Sequence, residues 1–119
     1  MLNHFCHVEL QTLNLPKAAE FYSDLFGWKV EQSQPGLGYW MITTKEGHAI
    51  GSIKKVSAIV NTEALNYVHV DDMDALIRRS GRLGGKGVMW KTQLEKPEWG
   101  CIGVLETEEG FRLGLWSKD

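Results

Sequence analysis

Apolar positions along the chain switch between two periods, and the switches recur in the same order twice. Residues 4–11, HFCHVELQ, alternate and predict a strand. Leu15, Ala18, Ala19, Tyr22, Leu25 and Phe26 then recur at helical spacing. Asn14 is placed to cap that helix, Pro16 fits its first turn and Gly27 is its natural stop. Three β signals follow: WKVEQS at 28–33, GYWMITT at 38–44 and AIGSIKK at 49–55. The turn dipeptides Pro35-Gly36 and Glu46-Gly47 separate them. Residues 65–70, LNYVHV, restart the series. Asp71 or Asp72 caps a second helix with Met73, Leu76, Ile77 and Leu83 on one stripe, and Gly84-Gly85 end it. Arg78, Arg79 and Arg82 occupy its last turns, where cations suit the helix dipole. GVMWKTQ at 87–93, WGCIGVLE at 99–106 and FRLGLWS at 111–117 complete the pattern, punctuated by Pro97 and Glu109-Gly110.

The order is therefore βαβββ, twice. The helix caps Asn14 and Asp72 stand 58 positions apart, and so do the helix stops Gly27 and Gly85. Glu46-Gly47 and Glu109-Gly110, which precede the last strand of each half, stand 63 apart. This predicts an α+β fold within one domain, residues 1–119. Modules 1–54 and 65–119 are joined by the connection 55–64. Each module supplies a mixed sheet with a helix on its convex face. Paired, the sheets are expected to form an open, barrel-like cup with a concave side free for a ligand.

Composition narrows the function. The 119 residues are 43% hydrophobic and 24% charged, which places the chain among globular proteins. Thirteen Lys+Arg against fifteen Asp+Glu give a net charge of −2, which argues against nucleic acid or an anionic membrane as partner. Cys6 and Cys101 are too few for a disulfide scaffold, and no apolar run approaches the ~20 residues of a membrane span. The expectation is a cytoplasmic protein with free thiols. Five tryptophans suit a core, but also a pocket wall that needs a flat apolar body with one N–H donor.

The words FCHVELQTLNLPKAAEFYSDLFGWKV at 5–30, YVHVDDMDALI at 67–77 and TEEGFRLGLW at 107–116 resemble the vicinal oxygen chelate superfamily. That group includes glyoxalase I, bleomycin-resistance proteins and extradiol dioxygenases. The resemblance covers essentially the whole chain, with Thr107 and Phe111 as departures from the usual closing turn. It implies a divalent metal held by the first and last strands of each half and completed by a chelating substrate. It also implies a homodimer, since small members commonly assemble four βαβββ modules.

Carried over position by position, the resemblance puts His7 at the first-strand ligand position of the first half and Leu65 at that of the second. The last-strand positions, counted from the Gly47 and Gly110 turns, fall on Gly51 and Gly114. A catalytic site wants three or more protein donors, and only His7 supplies one. No metal and no cofactor is therefore expected.

Strand alternation sets Phe5, His7 and Glu9 on one face and Cys6, Val8 and Leu10 on the other. It likewise sets Leu65, Tyr67 and His69 opposite Val68 and Val70, and Arg112, Gly114 and Trp116 opposite Phe111, Leu113 and Leu115. The expected ligand-binding residues are thus His7, Glu9, Tyr67, Arg112, Gly114 and Trp116. Arg112 is the candidate to neutralise an anionic group. A His7, Glu9 and His69 metal set is weighed against ordinary hydrogen-bonded or solvated roles. His4 and His48 read as surface, and both cysteines as small buried hydrophobes. Whether Trp40 or Trp99 faces the cup depends on register and stays open.

The expected function is metal-free binding of a small apolar or aromatic ligand in the cup. The alternatives are a metal-dependent lyase, isomerase or dioxygenase of glyoxalase type, or a metal-free enzyme using His7 or Glu9 as general base.

Overall fold

Each helix begins where a side chain takes over a backbone donor that the helix itself leaves without a partner. Asn14 Oδ1 accepts from Lys17 N at 3.0 Å, and Asp72 Oδ1 accepts from Ala75 N at 3.2 Å. The computed structural model describes residues 2–119. Its strands are β1 (Val8–Thr12), β2 (Lys29–Glu31), β3 (Tyr39–Thr43), β4 (Ala49–Lys55), β5 (Tyr67–His69), β6 (Lys86–Gln93), β7 (Cys101–Glu106) and β8 (Arg112–Ser117). Its helices are α1 (Leu15–Phe26) and α2 (Met73–Arg82), with a short 3₁₀ turn at Pro97–Trp99. The fold is α+β, with two four-stranded mixed sheets ordered β1-β4-β3-β2 and β5-β8-β7-β6. No helix among the described residues is long and apolar enough to cross a membrane.

The chain divides into two compact units, Met1–Ile59 and Val60–Asp119. In the first, β1 runs parallel to β4, with Val8 opposite Gly51 and Leu10 opposite Ile53. Trp40 pairs with Ile53 and Ile42 with Gly51. Leu10, Ile42 and Ile53 therefore share one face and are buried, as are Leu15, Ala18, Tyr22 and Leu25 of α1, which packs on this sheet. Trp40 lies on that buried face, which answers the question of its register. Gly27 closes α1 with a left-handed φ of 74°.

The second unit repeats the plan. Tyr67 pairs with Gly114 and His69 with Trp116 across β5 and β8. Leu113 and Leu115 pair with Leu105 and Gly103 across β7. A Cβ on Gly103 would stand 2.6 Å from Met73 Sδ, so this is the face that α2 covers.

Several expectations need correction. β1 begins at Val8, not His4, because only Val8–Thr12 find partners on β4. His4 to His7 precede the strand, so alternation does not govern them, and Cys6 is exposed rather than buried. Phe5, expected on the strand face shared with His7 and Glu9, lies ahead of the strand and is fully exposed. α2 ends at Arg82 with Leu83 as its cap, so Leu83, expected on the helical stripe, follows the helix, and Gly84 of the expected Gly84-Gly85 stop takes a left-handed φ of 98°. β7 begins at Cys101, because Trp99 belongs to the 3₁₀ turn.

A further correction matters most for the site. Thr43 pairs with Ala49 but Ile42 pairs with Gly51, so Ile50 is an extra, bulged residue in β4. In the second unit Glu106 pairs with Arg112 and Leu105 with Leu113, with no such insertion. Counting from the two glycine turns therefore slips by one. Gly51 matches Leu113, and Ser52 matches Gly114. Gly51 is a close-approach glycine: a Cβ there would run into the Val8 carbonyl.

Candidate functional site

Each sheet has one face under its helix and one face turned away from it. On the helix-free face of the first unit, one rung reads Glu9, Ser52, Met41, Glu31 across four strands. Ser52 is 3% exposed, and its hydroxyl is bonded to His7 Nε2 at 3.0 Å. His7 itself is exposed, as is Glu9. Lys29 reaches Glu31 at 3.6 Å, a solvated pair worth little energetically. Tyr39, half-exposed, stands on the next rung with Lys54 and Gln11.

On the helix-free face of the second unit, aromatic rings replace carboxylates. Tyr67 lies against Gly114, where an added Cβ would stand 2.7 Å from Tyr67 Cδ2. His69 and Trp116 face each other across the next rung, with ring centroids 4.9 Å apart. Trp116 Nε1 donates to the Trp99 carbonyl at 2.8 Å, so its N–H is spent inside the protein and its ring face remains for contact. Ile102 and Val104 lie on the same face. Trp99 is half-exposed, with Lys96 Nζ over its ring at 5.2 Å.

Arg112 is already engaged. Its Nε contacts Glu106 Oε2 at 3.3 Å, and the two residues pair across β7 and β8. Its backbone N–H donates to Asn61 Oδ1 at 3.0 Å, while Asn61 Nδ2 donates to the Gly110 carbonyl at 2.7 Å. Arg112 thus stands half-exposed on the helix-free face, with one contact to Glu106.

The donor set does not fit a metal. With the bulge counted, the four relevant positions are His7, Ser52, Leu65 and Gly114. One is an imidazole. One is a hydroxyl already bonded to that imidazole, one is aliphatic, and one lacks a side chain. A site built from such groups lacks the three strong donors a divalent ion wants. Among the described residues, no group of three or more His, Cys, Asp and Glu is placed to hold an ion.

Of the six expected ligand-binding residues, His7 and Glu9 share the helix-free face of the first unit. Tyr67, Arg112, Gly114 and Trp116 share that of the second, with Gly114 beneath Tyr67. His4 and His48 are exposed, and Cys101 is buried. Ser52 was missed. Counting alternation backwards from the apolar Ile53 would have found it, since a buried Ile53 sends Ser52 to the opposite face.

A family model described as the Glyoxalase/Bleomycin resistance protein/Dioxygenase superfamily matches residues 4–115. The chain is similar to the curated "Putative glyoxylase CFP32" of Mycobacterium tuberculosis. The two are 29% identical over 119 residues, covering 92% of this chain and 43% of that protein. The chain thus spans under half the length of this relative. Among solved structures it resembles a glyoxalase/bleomycin resistance protein/dioxygenase family enzyme from Burkholderia phytofirmans PsJN. There the TM-score is 0.74 at 14% identity, covering 98% of this chain and all of that one. It also resembles the fosfomycin resistance protein FosX of Listeria monocytogenes, with a TM-score of 0.73 at 15% identity, covering 98% of this chain and 94% of that one. Identities this low speak for the fold alone.

Proposed function

This chain belongs to the Glyoxalase/Bleomycin resistance protein/Dioxygenase superfamily, and from that premise we propose that it binds a small apolar or aromatic molecule without a resident metal ion. The observation that carries the reading is the Tyr67 ring on Gly114. Where chelation calls for a donor side chain, this chain has bare backbone under an aromatic ring. Tyr67, His69 and Trp116 form an exposed to half-buried aromatic surface with Ile102 and Val104 beside it. Such a surface gains by covering apolar area and by offset stacking.

The rival is a metal-dependent enzyme of glyoxalase type, the reading that the name of the mycobacterial relative invites. It needs three donors where these positions hold one strong one. Titration with indole, followed by tryptophan fluorescence and backbone NMR shifts, tests the proposal. The expected shifts fall on Tyr67, His69 and Trp116. Shifts confined to the outer surfaces of α1 and α2 would overturn it.

A further inference from the structure

His7 sits one residue ahead of β1, so no strand ladder fixes its ring. Ser52 sits in the middle of β4, buried, in register with Glu9 on one side and Met41 on the other. The bond between Ser52 Oγ and His7 Nε2 joins this buried hydroxyl to that exposed imidazole. A buried hydroxyl is costly to leave without a partner, so the bond satisfies Ser52. For His7 it decides which ring nitrogen is committed, and no described residue bonds Nδ1.

We infer that Ser52 is a positioning residue. It holds His7 by Nε2 and so leaves Nδ1 to an amine or amide N–H group of a small molecule bound on the first unit, on the rung that carries Glu9. The inference rests on the reading above only in that the chain binds a small molecule, and it gives the chemistry of a polar contact within the first unit. The charges support a donor group over a carboxylate. Glu9 has no ion-pair partner among the described residues, and a second carboxylate, Glu31, stands on its rung, with Lys29 3.6 Å from it. An incoming carboxylate would meet the like charges of Glu9 and Glu31 on one rung, with exposed Lys54 and Lys29 on the neighbouring rungs.

The test uses the whole chain, with histidine-ring ¹⁵N NMR and two probes, benzylamine and benzoate. Ser52→Ala is expected to move the His7 ring nitrogens towards the pattern of exposed His48, leaving His48 itself unchanged. Ser52→Thr, which keeps the hydroxyl, is expected to restore them. Benzylamine is expected to perturb His7 and Glu9, with affinity falling at least threefold in Ser52→Ala and in His7→Gln. Benzoate is expected to leave both signals in place. An unchanged His7 pattern in Ser52→Ala would overturn the positioning role. Benzoate perturbing His7 as strongly as benzylamine would overturn the ligand chemistry. His7→Gln lies at an exposed position and serves where Ser52→Ala does not fold; undiminished benzylamine binding in that variant would also overturn the proposal. A failed indole titration with the His7 results intact would sink the aromatic-binding reading instead, so the two failures are distinguishable.

Discussion

Tyr67 covers Gly114 so closely that a methyl group on Gly114 would stand 2.7 Å from the Tyr67 ring. The two are direct partners across β5 and β8. Gly114→Ala should therefore force the ring aside and destabilise the protein by about 1–3 kcal/mol. In the Tyr67→Ala background the same change should be nearly neutral, a coupling that a double-mutant cycle in urea would read directly. Equal effects in both backgrounds would mean that the ring does not lie on Gly114.

Gly51 should behave differently. Its added Cβ meets backbone, the Val8 carbonyl, which cannot swing away as a side chain can. Gly51→Ala should destabilise by more than ~2 kcal/mol, and no substitution of a neighbouring side chain should rescue it. Urea midpoints of Gly51→Ala alone and combined with Val8→Ala would check this. A neutral Gly51→Ala would refute the bulge at Ile50 and return Gly51 to the open face.

Trp116 occupies a middle position between core and wall. It is half-buried, and its indole N–H is held by the Trp99 carbonyl. Trp116→Phe should lose roughly the value of one hydrogen bond, ~0.5–1.5 kcal/mol. Trp116→Ala should fall short of the ~3–5 kcal/mol of a fully buried tryptophan. It should also abolish any ligand-induced quenching assigned to this indole, measured by fluorescence against the other four tryptophans. A loss at the top of the core range with quenching intact would place Trp116 in the core.

We further expect a homodimer, as in small members of the superfamily. Within each sheet two strands stand at the edge, β1 and β2 in one and β5 and β6 in the other, and such edges favour association. Light scattering at tens of micromolar should give twice the mass of the chain. A single-chain mass under those conditions would contradict the expectation.

The periodicity of apolar residues was enough to read both helices, all eight strands and the doubled βαβββ order. Periods of 2 and 3.6 are imposed by burial, and burial is written in side-chain type. The caps Asn14 and Asp72 were legible for a similar reason, since few residue types bond their own helix start. What stayed illegible is set by backbone pairing. The bulge at Ile50 carries no distinctive residue, yet it moves Ser52 into the place the count gave to Gly51. The alternation of HFCH continues upstream of Val8, past the point where β4 offers partners, so Cys6 looked buried and is not. The contact between Arg112 and Glu106 was likewise illegible, because it is fixed only by the β7–β8 register.

The central claim, binding without a resident metal, is tested most directly by metal stoichiometry. The protein should be purified without chelators or added metal and its zinc, nickel, manganese, iron and copper measured by elemental analysis. Each of zinc, nickel and manganese should then be titrated by calorimetry. With only His7 as a strong donor at the four positions, the account predicts well below one ion per chain as purified, and no tight stoichiometric binding on titration. One ion per chain that survives dialysis and is lost in His7→Ala would contradict it.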